Sequence, residues 1–512
     1  MKILFIYPDT MTEVGYSSGI GMLSAGLRKN GHETRLIHVC AELDYPLDML
    51  HIVQDISRFE PHLICFSVST NQWHVAQKIG CRIRESFTTP ILVGGYHATA
   101  DPDAVMAERW VDFTCRGEGD RALPELVNRL KAGLTAKGIC NLMHRENGRV
   151  LKEPLCGWVE DLDTLPFDDY SIFDYQKIIE TRSGWAEVIV SRGCRHSCSY
   201  CYNQPLFNHY RQDLKSSKGM TFTRRDYVRR NSVPYAIDKL KRIKRKYPNV
   251  SGFTFVDDIL ASDDDWFSEF AGQYQNEIGL PYACASHPLA FNQKVAALLK
   301  ASGCKVVKMG VESGNPEIRA KVLKRRMSND RLCQVFGVAR DFGLKPQAFN
   351  MIGIPGETLD DIAETIRLNA KIKPYIVWVA TFVPHPGTAI YGECVKKEML
   401  DSSKWGLADS YRGDSLLKEA YLPALAFRKI RVMIRWHLNA CLDNGAGDIY
   451  KNSIRELESL PEQKWIDGTA EELFHRKDRE IDLKLREQDI SHYIQKKYIN
   501  ILWGGEYDYD LS

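Results

Sequence analysis

The chain has 512 residues, 44% of them hydrophobic and 26% charged, with 68 Lys and Arg against 66 Asp and Glu. That length is too great for one core and predicts two or three domains. A formal net charge of +2 makes no whole-chain case for nucleic acid or an acidic membrane, and no apolar stretch is long enough to span a bilayer. The apolar start, residues 1–8, is too short for a signal peptide and reads as a first buried strand, so the protein is expected to be cytoplasmic. Its 14 cysteines are scattered, and several, such as Cys65 and Cys284, lie in apolar strand patterns. Reduced, mostly buried thiols are therefore expected.

Residues 1–130 alternate short apolar runs with amphipathic segments. Strands are predicted at Lys2–Tyr7, Thr34–Val39, His62–Ser69, Pro90–Tyr96 and Phe113–Gly117, and helices near Gly19–Lys29, Leu47–Phe59, Gln72–Ser86 and Arg121–Leu130. That rhythm predicts an α/β doubly wound, Rossmann-like parallel sheet, whose ligands bind beyond the carboxyl ends of the strands. Ser67-Val68-Ser69-Thr70 and Gly94-Gly95-Tyr96-His97 would stand there. Residues 131–184 read as a linker. A second series starts at Glu187–Val190 and continues with strands at Gly252–Val256, Tyr282–Ser286, Lys305–Val311, Gln347–Ile352 and Val377–Val383. Six strands separated by helices predict a partial (β/α)6 barrel over 185–395, with its chemistry at the C-terminal strand ends. Within it, the basic run Lys239–Lys246 shares a helix with Val233, Ile237, Leu240, Ile243 and Tyr247 at helical spacing, so its charges read as a solvated face. From 396 to 512 the pattern turns helical, a cap or a substrate-selecting lid.

The densest chemistry follows the first strand of the second series. Cys194, Cys198 and Cys201 share one loop, in the run Ser-Arg-Gly-Cys-Arg-His-Ser-Cys-Ser-Tyr-Cys-Tyr that ends at Tyr202. Thiolates hold iron–sulfur clusters, and three ligands on a four-iron cube leave one iron open. A structural zinc knuckle would need four closed ligands, and no second cysteine pair follows at zinc-finger distance. The C-x3-C-x2-C spacing, with Tyr200 just before the third cysteine, closely resembles the signature of the radical S-adenosylmethionine (SAM) enzymes. The resemblance implies a [4Fe–4S] cluster on the three cysteines, whose open iron chelates SAM and cleaves it to a 5′-deoxyadenosyl radical. It also implies that Asp257 and Asp258, after the second strand, accept the SAM ammonium in place of the family's more common Gly-Gly-Glu. Glu312 and Ser313, after the fourth strand, would meet the ribose and carboxylate, and Ile354 would lie in the adenine-side segment. Gly356 and Thr358 in that segment are equally explained as a turn and a helix N-cap.

A doubly wound domain preceding such a barrel resembles the cobalamin-binding radical SAM enzymes, over roughly residues 1–400. The cues are Ser67, Ser69 and Thr70, then Gly94-Gly95-Tyr96-His97, then Glu118 in Arg-Gly-Glu-Gly-Asp. Glycines let a backbone approach a bulky ligand. The Asp-x-His-x-x-Gly run that supplies a lower histidine to cobalt in other cobalamin proteins is missing, so no such ligand is expected. His97 reads equally as part of the corrin cradle and as a structural residue. What the resemblance implies is a cobalamin-dependent methyltransferase acting on an unactivated carbon, using methylcobalamin and the 5′-deoxyadenosyl radical. The related oxidative cyclases and ring-rearranging enzymes offer a second reading without methyl transfer, and a cobalamin sensor a third. Expected partners are an unidentified substrate (small molecule, lipid, peptide or protein side chain) and an external electron donor such as flavodoxin or ferredoxin. No nucleic acid and no transmembrane segment are expected. Tyr200, Tyr202 and His385 are accessory candidates, and no catalytic base is assigned.

Overall fold

The computed structural model describes residues 1–10, 14–219, 221–401, 403–404, 413–495 and 500–503. They form two compact units, one holding Met1–Asp258 with His385–Gly392 and the other Ile259–Pro384 with the chain from Glu393 onward.

The first unit opens with strands β1 (Lys2–Pro8), β2 (Glu33–Val39), β3 (Leu63–Ser67), β4 (Ile91–Gly94) and β5 (Phe113–Cys115). All five run parallel, in the order β2-β1-β3-β4-β5. Ile3, Leu4, Phe5 and Ile6 are all essentially inaccessible, as in a parallel strand covered on both faces. The helices Ser18–Lys29, Met49–Phe59 and Trp73–Ser86 make the first three crossovers, the short helices Tyr96–Ala100 and Pro102–Ala107 the fourth, and Ala122–Lys131 follows β5. In this order the strand sequence reverses between β1 and β3, the switch point where doubly wound sheets bind ligands.

The sheet continues past the expected boundary at residue 130. β6 (Leu142–Glu146) and β7 (Arg149–Lys152) add antiparallel to β5, so part of the expected linker belongs to this domain. The signal is Asn147-Gly148, both at positive φ (50° and 76°), as a two-residue hairpin turn needs. A disulfide joins Cys140 and Cys156 across the base of this hairpin, a departure from the reduced-thiol expectation, whereas Cys65 and Cys284 are free and buried.

Further along the same unit β8 (Trp185–Val188) pairs in parallel with β11 (Gly252–Phe255), and the short strands β9 (Ser191–Arg192) and β10 (Arg229–Arg230) pair antiparallel. On the helix Val233–Lys246 the apolar residues face inward as their spacing predicts. Lys239 departs from the solvated-face reading: it is buried, with Nζ 3.0 Å from Asp168 and 2.9 Å from the Ile189 carbonyl.

The second unit carries β12 (Tyr282–Ala285), β13 (Cys304–Glu312), β14 (Lys345–Ile352) and β15 (Ile376–Thr381), parallel to one another and alternating with helices. All six strands of the second βα series are thus present. The C-terminal region is not wholly helical. After the helices Ala424–Ala440, Ala446–Glu458 and Thr469–Glu487, which pack around Trp436 and Trp465, β16 (Tyr493–Gln495) and β17 (Asn500–Trp503) return to the sheet, β17 lying antiparallel on β15. No described helix is long and apolar enough to cross a membrane.

Candidate active site

The cysteine loop leaves the end of the β8–β9 segment through Gly193, whose φ of +86° and closeness to the Tyr227 carbonyl admit no side chain. Cys198 is buried, and Cys194 and Cys201 are partly so; all three are free thiols. One zinc ion would draw three thiolates to about 3.8 Å of one another, from Zn–S bonds of about 2.3 Å. Yet these sulfurs are not among the ligand groups that lie within 4.8 Å of each other in the described residues. Burial pushes the Cys194 thiol up to about 12 and that of Cys201 up to about 11.

Two polar residues that sequence reasoning missed attend this loop. Asn203 Nδ2 donates to Cys201 Sγ at 3.8 Å and to Asp258 Oδ1 at 2.9 Å. Arg224 donates to the Asn203 carbonyl at 3.4 Å, and its guanidinium feels all three thiols electrostatically. Asn203 was findable, two residues after the last cysteine. Arg224 was not, because it lies beyond a full helix, Asn203–Lys218.

The aspartates after β11 have different surroundings. Asp257 is buried, and its Oδ1 accepts the Val190 N–H at 3.0 Å and a short bond from the Ser191 hydroxyl. Its Oδ2 has no hydrogen-bond partner. Burial pushes this carboxyl up to about 6. Asp258 is exposed in surface area and close enough to Cys194 and Cys201 to act on their thiols, and desolvation raises its carboxyl too.

On the doubly wound side, Gly95 adopts φ +96° with the Val68 backbone so close that a Cβ would lie 2.6 Å from its carbonyl oxygen. The following His97 is buried; its Nδ1 lies 3.2 Å from Thr70 Oγ1, while Nε2 lacks a partner. Burial lowers this imidazole to about 4, so it is neutral. Ser69 bonds Gln72 and Asn71 at the start of the next helical turn, and Ser67 closes β3 beside Gly94. Tyr96 is 55% exposed and stacks on Tyr202 with ring centroids 5.2 Å apart. Tyr202 in turn hydrogen-bonds His385 Nδ1 at 2.7 Å. The loop after β4 and the cysteine loop therefore meet within one unit. Stacked tyrosines, a buried imidazole with one nitrogen unpartnered among the described residues and a backbone cradle fit a large planar cofactor.

Glu118 is otherwise engaged. Its Oε1 lies 2.8 Å from Arg229, and its Oε2 accepts the Val159 N–H at 2.8 Å and lies 3.3 Å from Arg192, which also pairs with Asp120 at 2.8 Å. These ion pairs tie the end of β5 to β9 and β10.

In the second unit Glu312 is buried at φ +69°, a strained setting for a non-glycine, at a register shift in the β13–β14 ladder. Arg325 lies 3.9 Å from its carboxylate and donates to the Gly310 carbonyl at 2.9 Å. Ser313 is fully buried, and its Oγ accepts the Asn315 N–H at 3.3 Å. Ile354 is buried in a turn that Glu357 holds by accepting the N–H groups of Gly353 (2.7 Å) and Ile354 (3.1 Å). Thr358 is the N-cap of Leu359–Ile372 in a capping box with Asp361, and Gly356 sits at φ +81° in the turn before it, as the turn-and-cap reading of both residues expects.

Two families match this chain: the B12 binding domain over residues 8–127 and the Radical SAM superfamily over residues 188–368. Among curated relatives, an uncharacterized methyltransferase of Pyrococcus horikoshii is 26% identical over 79% of this chain and 85% of its own. The anaerobic magnesium-protoporphyrin IX monomethyl ester cyclase of Rubrivivax gelatinosus is 21% identical over 79% and 72%. Among solved structures, the radical S-adenosylmethionine methyltransferase TsrM from Kitasatospora setae, with cobalamin and a [4Fe–4S] cluster bound, shares the fold at TM-score 0.62 and 15% identity, over 77% of this chain and 78% of that one.

Proposed function

Because the chain belongs to the cobalamin-dependent radical SAM enzymes, we propose that it is a methyltransferase that methylates an unactivated carbon of its substrate. The observation that carries this reading is the stacking of Tyr96 on Tyr202, which sets the doubly wound domain's ligand loop beside the three thiols. Likeness to methyltransferases in sequence and in structure supports it. Likeness to a cyclase supports the second reading, oxidation or rearrangement without methyl transfer.

When bound, the cluster with SAM supplies a hydrogen-abstracting radical and cobalamin supplies the methyl group. The chain's own work is to hold, orient and keep dry. Cys194, Cys198 and Cys201 hold the cluster, with Arg224 lending positive charge beside it. Asp258, steered by Asn203, accepts the SAM ammonium as a charge-assisted bond, and Asp257 is a positioning residue that fixes the strand end from which the loop departs. In the second unit, the family resemblance would give Glu312 and Ser313 to the SAM ribose and carboxylate and Ile354 to its adenine side. Gly94 and Gly95 would let the backbone approach the corrin, and Ser67, Ser69, Thr70 and His97 would serve its nucleotide tail. Electrons enter from an external donor such as flavodoxin or ferredoxin.

The test is product stoichiometry under anaerobic turnover with a substrate deuterated at the accepting carbon. One S-adenosylhomocysteine and one deuterated 5′-deoxyadenosine per methyl transferred are expected. 5′-Deoxyadenosine without S-adenosylhomocysteine, and a product with no added carbon, would replace this reading with the cyclase-like one.

A further inference from the structure

We propose that Asp9, His38 and Cys40 form a binding site for one zinc ion at the carboxyl ends of β1 and β2, separate from the three-thiol loop. Each offers one ligand atom, and these atoms all lie within 4.8 Å of one another, the one such group found among the described residues. The sheet brings them together. β1 and β2 are parallel, with Tyr7 beside His38 and Pro8 beside Val39, so Asp9 leaves β1 just where His38 and Cys40 end β2. His38 and Cys40 are two residues apart on extended backbone, which sends both side chains to one face.

The surroundings are those of a ligand set rather than of a chance cluster. The side chains of Asp9 and Cys40 are inaccessible to solvent and that of His38 is only 9% exposed. His38 Nε2 lies 3.2 Å from Asp9 Oδ2, but His38 Nδ1 is buried with no hydrogen-bond partner. A histidine–aspartate pair uses the first nitrogen and leaves the second as a buried polar atom without a partner among the described residues. An ion seated among Asp9, the Nε2 side of His38 and Cys40 would take the place of that hydrogen bond, with the Asp9 carboxylate as one of its ligands. Cys40 Sγ lies 3.6 Å from Glu42 Oε2, so a further carboxylate stands at the open side of the group.

The donor set chooses the metal. Nitrogen, sulfur and carboxylate oxygen together suit zinc, whereas magnesium and calcium take oxygen alone. Binding exchanges the Cys40 S–H bond for a Zn–S bond and releases one proton, with no change of oxidation state. Just past β1, Asp9 Oδ2 also accepts the Gly15 N–H at 3.2 Å. An ion there would pin the loop that leaves β1, on the side of the domain that takes its ligand. The inference does not depend on methyl transfer.

The experiment is elemental analysis of the anaerobically reconstituted full chain after exposure to zinc and removal of loosely held metal on a chelating resin. The expected result is one zinc per chain beside the four irons of the cluster. In His38→Gln and in Cys40→Ser, zinc retention against a chromophoric chelator should fall by about tenfold or more, with iron unchanged as the check on folding. A variant with Cys194, Cys198 and Cys201 all changed to alanine should lose iron and keep the zinc. Zinc that is absent from the unaltered protein, that survives both the His38 and Cys40 changes, or that leaves with the three loop cysteines would overturn the proposal.

Discussion

At the scale of single residues, neighbours that look equivalent in the sequence take different work from their contacts. Asp257 and Asp258 read as a paired acceptor, yet Asp257 spends one oxygen on Val190 and Ser191 while Asp258 faces the thiols through Asn203. The proposed division predicts that Asp258→Asn weakens SAM binding by about tenfold, the worth of one charge-assisted bond. Asp257→Asn should change it much less, and both variants should keep their iron; equilibrium dialysis with labelled SAM measures the difference. Equal losses in the two variants would return the pair to a shared role. Arg224 offers a second check. Its guanidinium interacts electrostatically with Cys194, Cys198 and Cys201, so removing its charge disfavours the reduced, more negative cluster. Arg224→Gln should lower the cluster's midpoint potential by about 60 mV, a tenfold change in a one-electron equilibrium, as read by potentiometric paramagnetic resonance. An unmoved potential would show that the charge is screened.

At the scale of elements, the parallel strands were legible because they are uniformly apolar and bounded by turn residues. Their ends differ by at most two residues between sequence and structure, as with Thr34–Val39 against Glu33–Val39. The hairpin of β6 and β7 was overlooked although Asn147-Gly148 announces it, because Arg145, Glu146, Arg149 and Lys152 make its strands look like polar linker. β16 and β17 were missed because three residues and four residues carry little periodicity. Site residues that act alone after long intervals, Arg224 above all, leave no local pattern to read. One turn makes a pH prediction. Burial pushes the Glu357 carboxyl up to about 8, well above its usual 4.5. A folded-state value above the unfolded one means that the folded protein binds the extra proton. The associated stability is present below about pH 4.5 and is lost as pH rises toward 8. At about 1.4 kcal/mol per pH unit, the loss for this enclosed group is a few kcal/mol at most. Glu357→Gln, which keeps an oxygen for the Gly353 and Ile354 N–H groups, should show a flatter denaturant midpoint between pH 5 and about 9. Parallel curves for the two proteins would mean that Glu357 does not titrate in that window.

At the scale of the whole molecule, the sequence suggests beads on a string: a cofactor domain, a linker, a barrel, a cap. The contacts say otherwise, since the doubly wound sheet, the cysteine loop and the β8–β11 pair fall in one compact unit. Buried charge holds that unit together. Glu118 and Asp120, just past β5, neutralise Arg229 and Arg192 on the short strands that flank the cysteine loop, and both arginine side chains are largely buried. Tyr16, near the start of the first helix, donates to Asp168 at 3.0 Å and stacks with Tyr170, so residues from the expected linker pack inside the cofactor domain. Leaving one partner of a buried pair without the other costs about 3–5 kcal/mol, and a whole domain is stable by only about 5–15 kcal/mol. Deleting residues 1–152 would take Glu118 and Asp120 from Arg229 and Arg192 together and remove the Tyr16 hydroxyl from Asp168. The fragment 153–512 is therefore expected to be insoluble or unable to retain a cluster, even though it contains every cysteine of the radical SAM loop. The check is to express it beside the full chain, reconstitute both anaerobically, and compare soluble yield, circular dichroism and iron per chain. A soluble fragment holding four irons would show that the two folds are modular and that the buried ion pairs are incidental to the stability of the loop.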